Sequence, residues 1–152
     1  MNRDLKHALR LALDPPGGVS VEALEGLVLD DPTTWWDIAK TADHLKISIH
    51  TLRYYERIGM VTVSRDSAGR RRYDSPAIRR LVFITRMRTA GMPISDLRAY
   101  LALVDAGPET IPQRLDLMLE HRDTLRRQIA QLQLALAATE YKIATYQEGP
   151  TP

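Results

Sequence analysis

The sequence predicts a mainly α-helical fold: a small winged helix-turn-helix unit followed by a long helix that pairs as a coiled coil. Three observations carry this. Two short helical patterns are joined by only Lys46-Ile47, which is helix-turn-helix spacing. A hairpin pattern centred on turn residues follows the second of them at once. From Ile111 onward, apolar residues recur at alternating intervals of four and three, the period of a heptad seam.

Composition narrows the function before any motif is read. With 152 residues, 44% of them hydrophobic and 26% charged, the chain should pack as a soluble fold rather than stay disordered. No run of 18 apolar residues is present to cross a membrane. Met1 to Leu13 carries charges throughout and lacks the apolar core of a secretory signal, so a cytoplasmic protein is expected. The absence of cysteine removes a disulfide scaffold, a thiolate metal site and a cysteine nucleophile together. His7, His44, His50 and His121 are scattered, and no Ser/His/Asp order, carboxylate pair or phosphate loop is spaced for catalysis. No enzyme, cofactor or metal is therefore expected. The net charge of +2 hides an uneven distribution: 13 Lys/Arg stand against 6 Asp/Glu between Trp35 and Arg98. The flanks are mildly acidic, with 3 against 6 in residues 1–34 and 5 against 7 in residues 99–152. A basic middle of this kind suggests a polyanion-binding module.

Taken in order, residues 1–34 read as a helical extension. Leu5, Ala8, Leu9, Ala12 and Leu13 fall at helical spacing until Asp14-Pro15-Pro16-Gly17-Gly18 stops them. Ser20 can cap a second short helix with Val21, Leu24, Leu27 and Val28 on one face, ended by Asp30-Asp31-Pro32. Ile38 to Leu45 reads as a helix, and Ser48 caps another that runs to about Arg57 and stops at Gly59. Val61-Thr62-Val63 is β-branched and should pair with Arg70 to Tyr73 across the turn residues Asp66-Ser67-Ala68-Gly69. Asp74-Ser75-Pro76 opens a helix carrying Ile78, Leu81, Val82 and Ile84, ending near Gly91. A linking helix spans roughly Ile94 to Val104 and closes at Gly107-Pro108. The plan is an extension over 1–34, a winged unit with linking helices over 35–105, a coil over 108–147 and a tail over 148–152.

The seam of the last helix runs through Ile111, Leu115, Met118, Arg122, Leu125, Ile129, Leu132, Leu136, Thr139, Ile143 and Tyr146, with only Arg122 and Thr139 polar. At ~1.5 Å rise per residue the coil is about 55 Å long. Alone it has no partner along most of that seam. Homodimerisation through Leu115, Met118, Leu125, Ile129, Leu132, Leu136 and Ile143 is therefore expected. The alternative, a helix lying on its own domain, would need a larger body to cover it.

Thr51-Leu52-Arg53-Tyr54-Tyr55-Glu56, on the second helix of the pair, is the strongest local signal. A recognition helix presents hydrogen-bonding side chains to base edges in the major groove. Thr51, Arg53 and Tyr54 suit that task, since arginine can bond guanine O6 and N7 together and tyrosine can bond phosphate. Tyr55 is expected in the core. The plainer reading is a surface helix with an ordinary arginine. The hairpin adds Arg65 and the run Arg70-Arg71-Arg72-Tyr73. Strand alternation sends Arg71 and Tyr73 to one face and Arg70 and Arg72 to the other. One pair can follow phosphates while the other meets solvent or the neighbouring helix.

The stretch from Trp36 to Gly91 resembles the MerR family of bacterial transcription regulators. The matching residues are Ile38-Ala39-Lys40, the run from Thr51 through Glu56 to Met60, Arg65, Gly69, Arg71, Tyr73, Leu81-Val82-Phe83-Ile84 and Ala90-Gly91-Met92. With the coil, the resemblance covers about Trp35 to Gln147. It implies a winged-helix DNA-binding domain, a short linking helical pair and an antiparallel coiled coil between two subunits. It also implies a palindromic site on double-stranded promoter DNA, inside a spacer too long for RNA polymerase to engage both its elements. Bending and untwisting that spacer would realign them, at a cost offset by phosphate contacts. Carried over by position, Thr51, Arg53 and Tyr54 enter the groove, Arg71 and Tyr73 contact DNA from the wing, and Arg65 meets the backbone.

Two positions depart from the family pattern. Lys46 stands where the turn usually has glycine, so it has to adopt an unusual turn conformation or form a different turn. Arg70 stands where the wing usually has an aromatic residue, adding a phosphate contact. The cysteines of the family's metal sensors are absent, which excludes sensing by thiolate–metal binding or by a reactive cysteine. Only Gln147 to Pro152 follow the coil, too few for an appended effector domain. A small-molecule effector would then sit between the coil, the linking helices and the extension. Trp35, Trp36, Tyr100, Met118, Tyr141 and Tyr146 supply large side chains there, although core or seam packing is their plainer role. The extension's apolar faces, Leu5/Leu9/Leu13 and Val21/Leu24/Val28, suit packing on the coil or the linking helices. Two other readings stay open: a winged architectural or nucleoid DNA-binding protein, which needs no coil, and a coiled-coil adaptor whose basic domain docks an acidic protein.

Overall fold

The computed structural model describes residues 35–149, and the two helices expected within residues 1–34 lie outside them. The element order is β1 (Trp35–Trp36), α1 (Ile38–Leu45), α2 (Ile49–Arg57), β2 (Ser64–Arg65), β3 (Arg71–Asp74), α3 (Ser75–Thr89), α4 (Ile94–Ala106), a 3-10 turn (Pro108–Thr110) and α5 (Ile111–Gln147). These residues separate into two units, the first ending at Thr89 and the second beginning at Ala90. The linking helix α4 thus groups with α5, not with the winged unit.

Local capping fixes the helix-turn-helix. Asp37 Oδ1 accepts from the Lys40 N–H at 2.8 Å and starts α1. The helix closes on Lys46, which lies in the left-handed region at φ 56° and ψ 39°. It is the non-glycine residue with positive φ among those described, so lysine does adopt the turn conformation usually reserved for glycine. Ser48 then caps α2 by accepting from the Thr51 N–H at 3.0 Å. The second helix buries Leu52 and Tyr55 into a core that includes Met60, Val61, Tyr73, Ile78, Leu81 and Ile84.

The wing differs from its expected form in two ways. Val61-Thr62-Val63 is not a strand: Val61 is buried in the core, and pairing begins only at Ser64 and Arg65, opposite Arg72 and Arg71. Here β-branching served packing rather than pairing. An additional strand, β1, lies on the other edge of β3, with Trp35 opposite Asp74 and Trp36 opposite Tyr73. The sheet order is β1-β3-β2. Asp66 organises the wing turn, its Oδ1 accepting from the Ala68 and Arg70 N–H groups at 2.9 Å each. Those backbone bonds, that of Arg70 foremost, hold the Asp66 carboxyl below the usual aspartate range.

In the second unit, α4 buries Leu97 and Leu101. Arg114 donates from Nε to Thr110 Oγ1 at 3.1 Å and from Nη2 to Gly107 O at 3.0 Å, tying the first turn of α5 to the linker before it. Helix α5 has 37 residues, none of them buried. Its Pro112 falls in the first turn, where a missing N–H breaks no intrahelical bond. In the single chain Leu115 is 55% exposed, Ile129 50%, Leu132 70%, Leu136 58% and Ile143 49%, while Met118 and Leu125 are half-buried. Trp36 is core, and Tyr141 and Tyr146 stand exposed on α5. No helix among the described residues is long and apolar enough to cross a membrane.

Candidate nucleic-acid interface

Ile49, His50, Arg53 and Arg57 are the exposed residues of α2. At helical spacing they form one strip, and it begins at the Ser48 cap. Arg53 is exposed. Thr51 is half-buried, and its Oγ1 lies 2.8 Å from Ser48 Oγ, so the hydroxyl is engaged in the cap. Tyr54 is also half-buried, with the Arg57 guanidinium 5.6 Å above its ring. His50 stands exposed one turn before Arg53.

On the wing, strand alternation holds, but the faces are exchanged. Arg71 Nε donates to Glu56 Oε2 at 2.6 Å, each side chain only 24% exposed. The Glu56 hydrogen bond, above all, raises the Arg71 pKa. Arg65 approaches the other carboxylate oxygen of Glu56, Nη2 to Oε1 at 3.5 Å. Tyr73 is wholly buried, and among the described residues its hydroxyl has no hydrogen-bond partner. Burial chiefly raises its pKa. The expectation that Tyr73 contacts DNA from the wing is corrected: it has no surface to offer. Arg71 shares its face and points onto α2.

The outward face carries Arg70 and Arg72. The Arg70 side chain is 80% exposed and pairs with Asp66 at 3.0 Å. Arg72 holds its guanidinium 4.7 Å above the Trp35 ring. Glu56 was missed as a site residue, because its partners lie nine and fifteen residues away and no helical or strand spacing connects them. Arg53 and Arg57 on the helix, and Arg65, Arg70 and Arg72 on the wing, are exposed cations whose donors suit phosphates and guanine edges. Among the described residues, no three of His, Asp and Glu come together in a metal-binding group.

Two family models match the chain: MerR HTH family regulatory protein over residues 37–103, and MerR, DNA binding over residues 78–138. An uncharacterized HTH-type transcriptional regulator of Haemophilus influenzae is 33% identical over 112 residues, covering 73% of this chain and 83% of its own length. The HTH-type transcriptional regulator AdhR of Bacillus subtilis is 37% identical over 90 residues, covering 59% of this chain and 64% of its own. Among solved structures, HiNmlR, a MerR family regulator lacking the sensor domain and bound to promoter DNA, aligns with a TM-score of 0.70 and 32% identity over 75% of this chain and 87% of that one. The capped recognition helix, the arginine-bearing wing and α5 as far as residue 138 fall within the family matches, and the chain belongs to the MerR family of helix-turn-helix transcriptional regulators.

Proposed function

We propose that two copies of the chain, joined along α5, bind a palindromic promoter site and bend and untwist its spacer so that RNA polymerase can engage both elements. A single observation carries this reading. Each chain presents one recognition strip, and its α5 leaves a seam of large apolar residues half to three-quarters exposed. Joining two such chains buries the seams and doubles the recognition strip, as two half-sites require. Arg53 reads bases, with Thr51 and Tyr54 at the flanks of the strip. Arg65, Arg70 and Arg72 neutralise phosphates and offset the deformation energy of the DNA. Arg71 acts through Glu56 by holding the wing to the recognition helix. The protein works in the cytoplasm, and any effector it answers acts without cysteine chemistry. HiNmlR, a MerR family regulator lacking the sensor domain, is bound to promoter DNA, which supports operator binding by this chain.

Selection of bound fragments from the source genome, followed by footprinting, tests the proposal. The expected result is a two-fold symmetric footprint inside an over-long promoter spacer, with distortion at its centre. Binding without sequence preference would replace this mechanism with an architectural one.

A further inference from the structure

We infer that the cleft between the start of α4 and one flank of α5 binds a small organic cation, an alkyl ammonium with a short apolar body. The cleft lies wholly within the second unit and holds about 160 Å³. A cavity of that size takes a molecule of about six non-hydrogen atoms. None of the tryptophans and tyrosines weighed from the sequence lines it. One wall is α5, where Leu117, Glu120, His121, Thr124 and Gln128 fall at helical intervals and share a face. Asp96 comes from the first turn of α4, and Met92 and Pro93 from the segment before it. Gly91, at φ 91°, brings the backbone close to Gln128, whose Nε2 would stand 3.8 Å from a Cβ at that position.

The lining selects the charge of the ligand. Asp96 and Glu120 bring two carboxylates, both exposed to an incoming solute, and neither makes an ion pair among the described residues. No lysine or arginine lines the cleft. Arg127 bonds Thr124, Nη2 to Oγ1 at 3.1 Å, and that hydroxyl donates to Glu120 O at 3.2 Å, so Thr124 is already engaged. His121 is not: its Nε2 is buried with no hydrogen-bond partner among the described residues. A buried nitrogen without a partner is costly. In the neutral tautomer protonated at Nδ1, Nε2 is an acceptor, and an ammonium N–H supplies the bond it lacks. Met92, Pro93 and Leu117 give apolar contact to the carbon chain. An anion would meet two like charges, and a bare metal ion finds no group of three ligating side chains among the described residues. Leu117, His121, Thr124 and Gln128 each directly precede a seam residue, Met118, Arg122, Leu125 and Ile129. A ligand held against this flank touches the turns of α5 that carry the seam, so it serves as the effector of the regulator proposed above, and this last step rests on that reading.

The test is an NMR titration of the full chain, without DNA, with pentylammonium chloride. Pentan-1-ol and pentanoate serve as neutral and anionic counterparts of similar size. A dissociation constant of about 1 mM is expected for the ammonium, in keeping with a ligand of about six atoms. Amide shifts should centre on Gly91, Met92, Leu117 and His121. Pentan-1-ol should bind about tenfold more weakly, and pentanoate more weakly still. Asp96→Asn and Glu120→Gln should each weaken the ammonium about threefold, at exposed positions where the fold is spared. Equal binding of the alcohol and the ammonium would overturn the assignment of charge, and this comparison needs no variant. No shift at the lining amides by roughly 20 mM ammonium, some twenty times the expected constant, would overturn the site. Operator affinity at saturating ligand should change about fivefold or more; an unchanged affinity overturns the effector step alone. A chain that binds no operator at all fails the reading above instead, and the DNA-free titration is unaffected.

Discussion

Arg71 Nε donates to Glu56 Oε2 across 2.6 Å, joining the central wing strand to the recognition helix. The same carboxylate lies 3.5 Å from Arg65 on the neighbouring strand, so one acid on α2 holds both arms of the wing. Glu56→Gln keeps the shape and removes the charge. A hydrogen bond between charged groups typically contributes about 1.5–3 kcal/mol, and these side chains are a quarter exposed, so a loss near the lower end is expected in thermal melts. Binding to operator DNA should weaken as well, although the substitution makes the protein more positive. Tighter binding in fluorescence anisotropy would mean that Glu56 only competes with phosphate for the arginines.

Arg53→Ala removes the most exposed base-reading candidate of α2. A bidentate guanine contact provides about 1–3 kcal/mol of discrimination, or roughly tenfold to a hundredfold in affinity for the selected site. Arg72→Ala should instead weaken binding to all sequences alike and lower the slope of log affinity against log salt by about one. Titrations on cognate and scrambled duplexes at several salt concentrations separate the two behaviours.

Tyr73→Phe deletes a buried hydroxyl that has no partner. An unsatisfied buried polar group costs about 1–3 kcal/mol, so the variant should match or exceed wild-type stability with unchanged operator affinity. A tyrosine that touched DNA would show the opposite in the same titration.

Lys46→Gly should stabilise the chain. A non-glycine residue in the left-handed region costs about 1–2 kcal/mol, while glycine gives back part of that gain through its freer unfolded chain. A net rise of about 0.5–1 kcal/mol is expected by denaturant unfolding.

The wing turn should loosen in acid. Asp66 has its carboxyl pKa lowered in the folded state, chiefly by the Arg70 backbone bond. Its contribution is therefore complete above the ordinary aspartate value, about 3.9, and fades as pH falls through the lower folded one. The protection of the Ala68 and Arg70 amides, whose N–H groups bond that carboxylate, should fall over this window once exchange is divided by its intrinsic rate. In Asp66→Asn the pH dependence of that protection should vanish.

Elements fixed by nearest neighbours were legible in the sequence. Ser48 announces α2 because a cap bonds three residues ahead, and the α5 seam declares itself by repetition. Whatever depended on distant partners was not. Two residues, Trp35 and Trp36, show no alternation, so β1 became visible only as the mate of Asp74 and Tyr73. Alternation sorted the wing into Arg71/Tyr73 and Arg70/Arg72, but which pair faces inward is decided by Glu56 and the core beneath them.

The small sheet also has a mechanical meaning. Strand β3 pairs Arg71 and Arg72 with β2 and Tyr73 and Asp74 with β1, so it cannot slide along its own axis without breaking both ladders. A two-stranded wing would behave as a compliant flap, giving way when a bent duplex pushes back. The third strand clamps the root of the wing, where β3 runs into α3, and leaves its tip to β2 alone, like a cantilever fixed at its base.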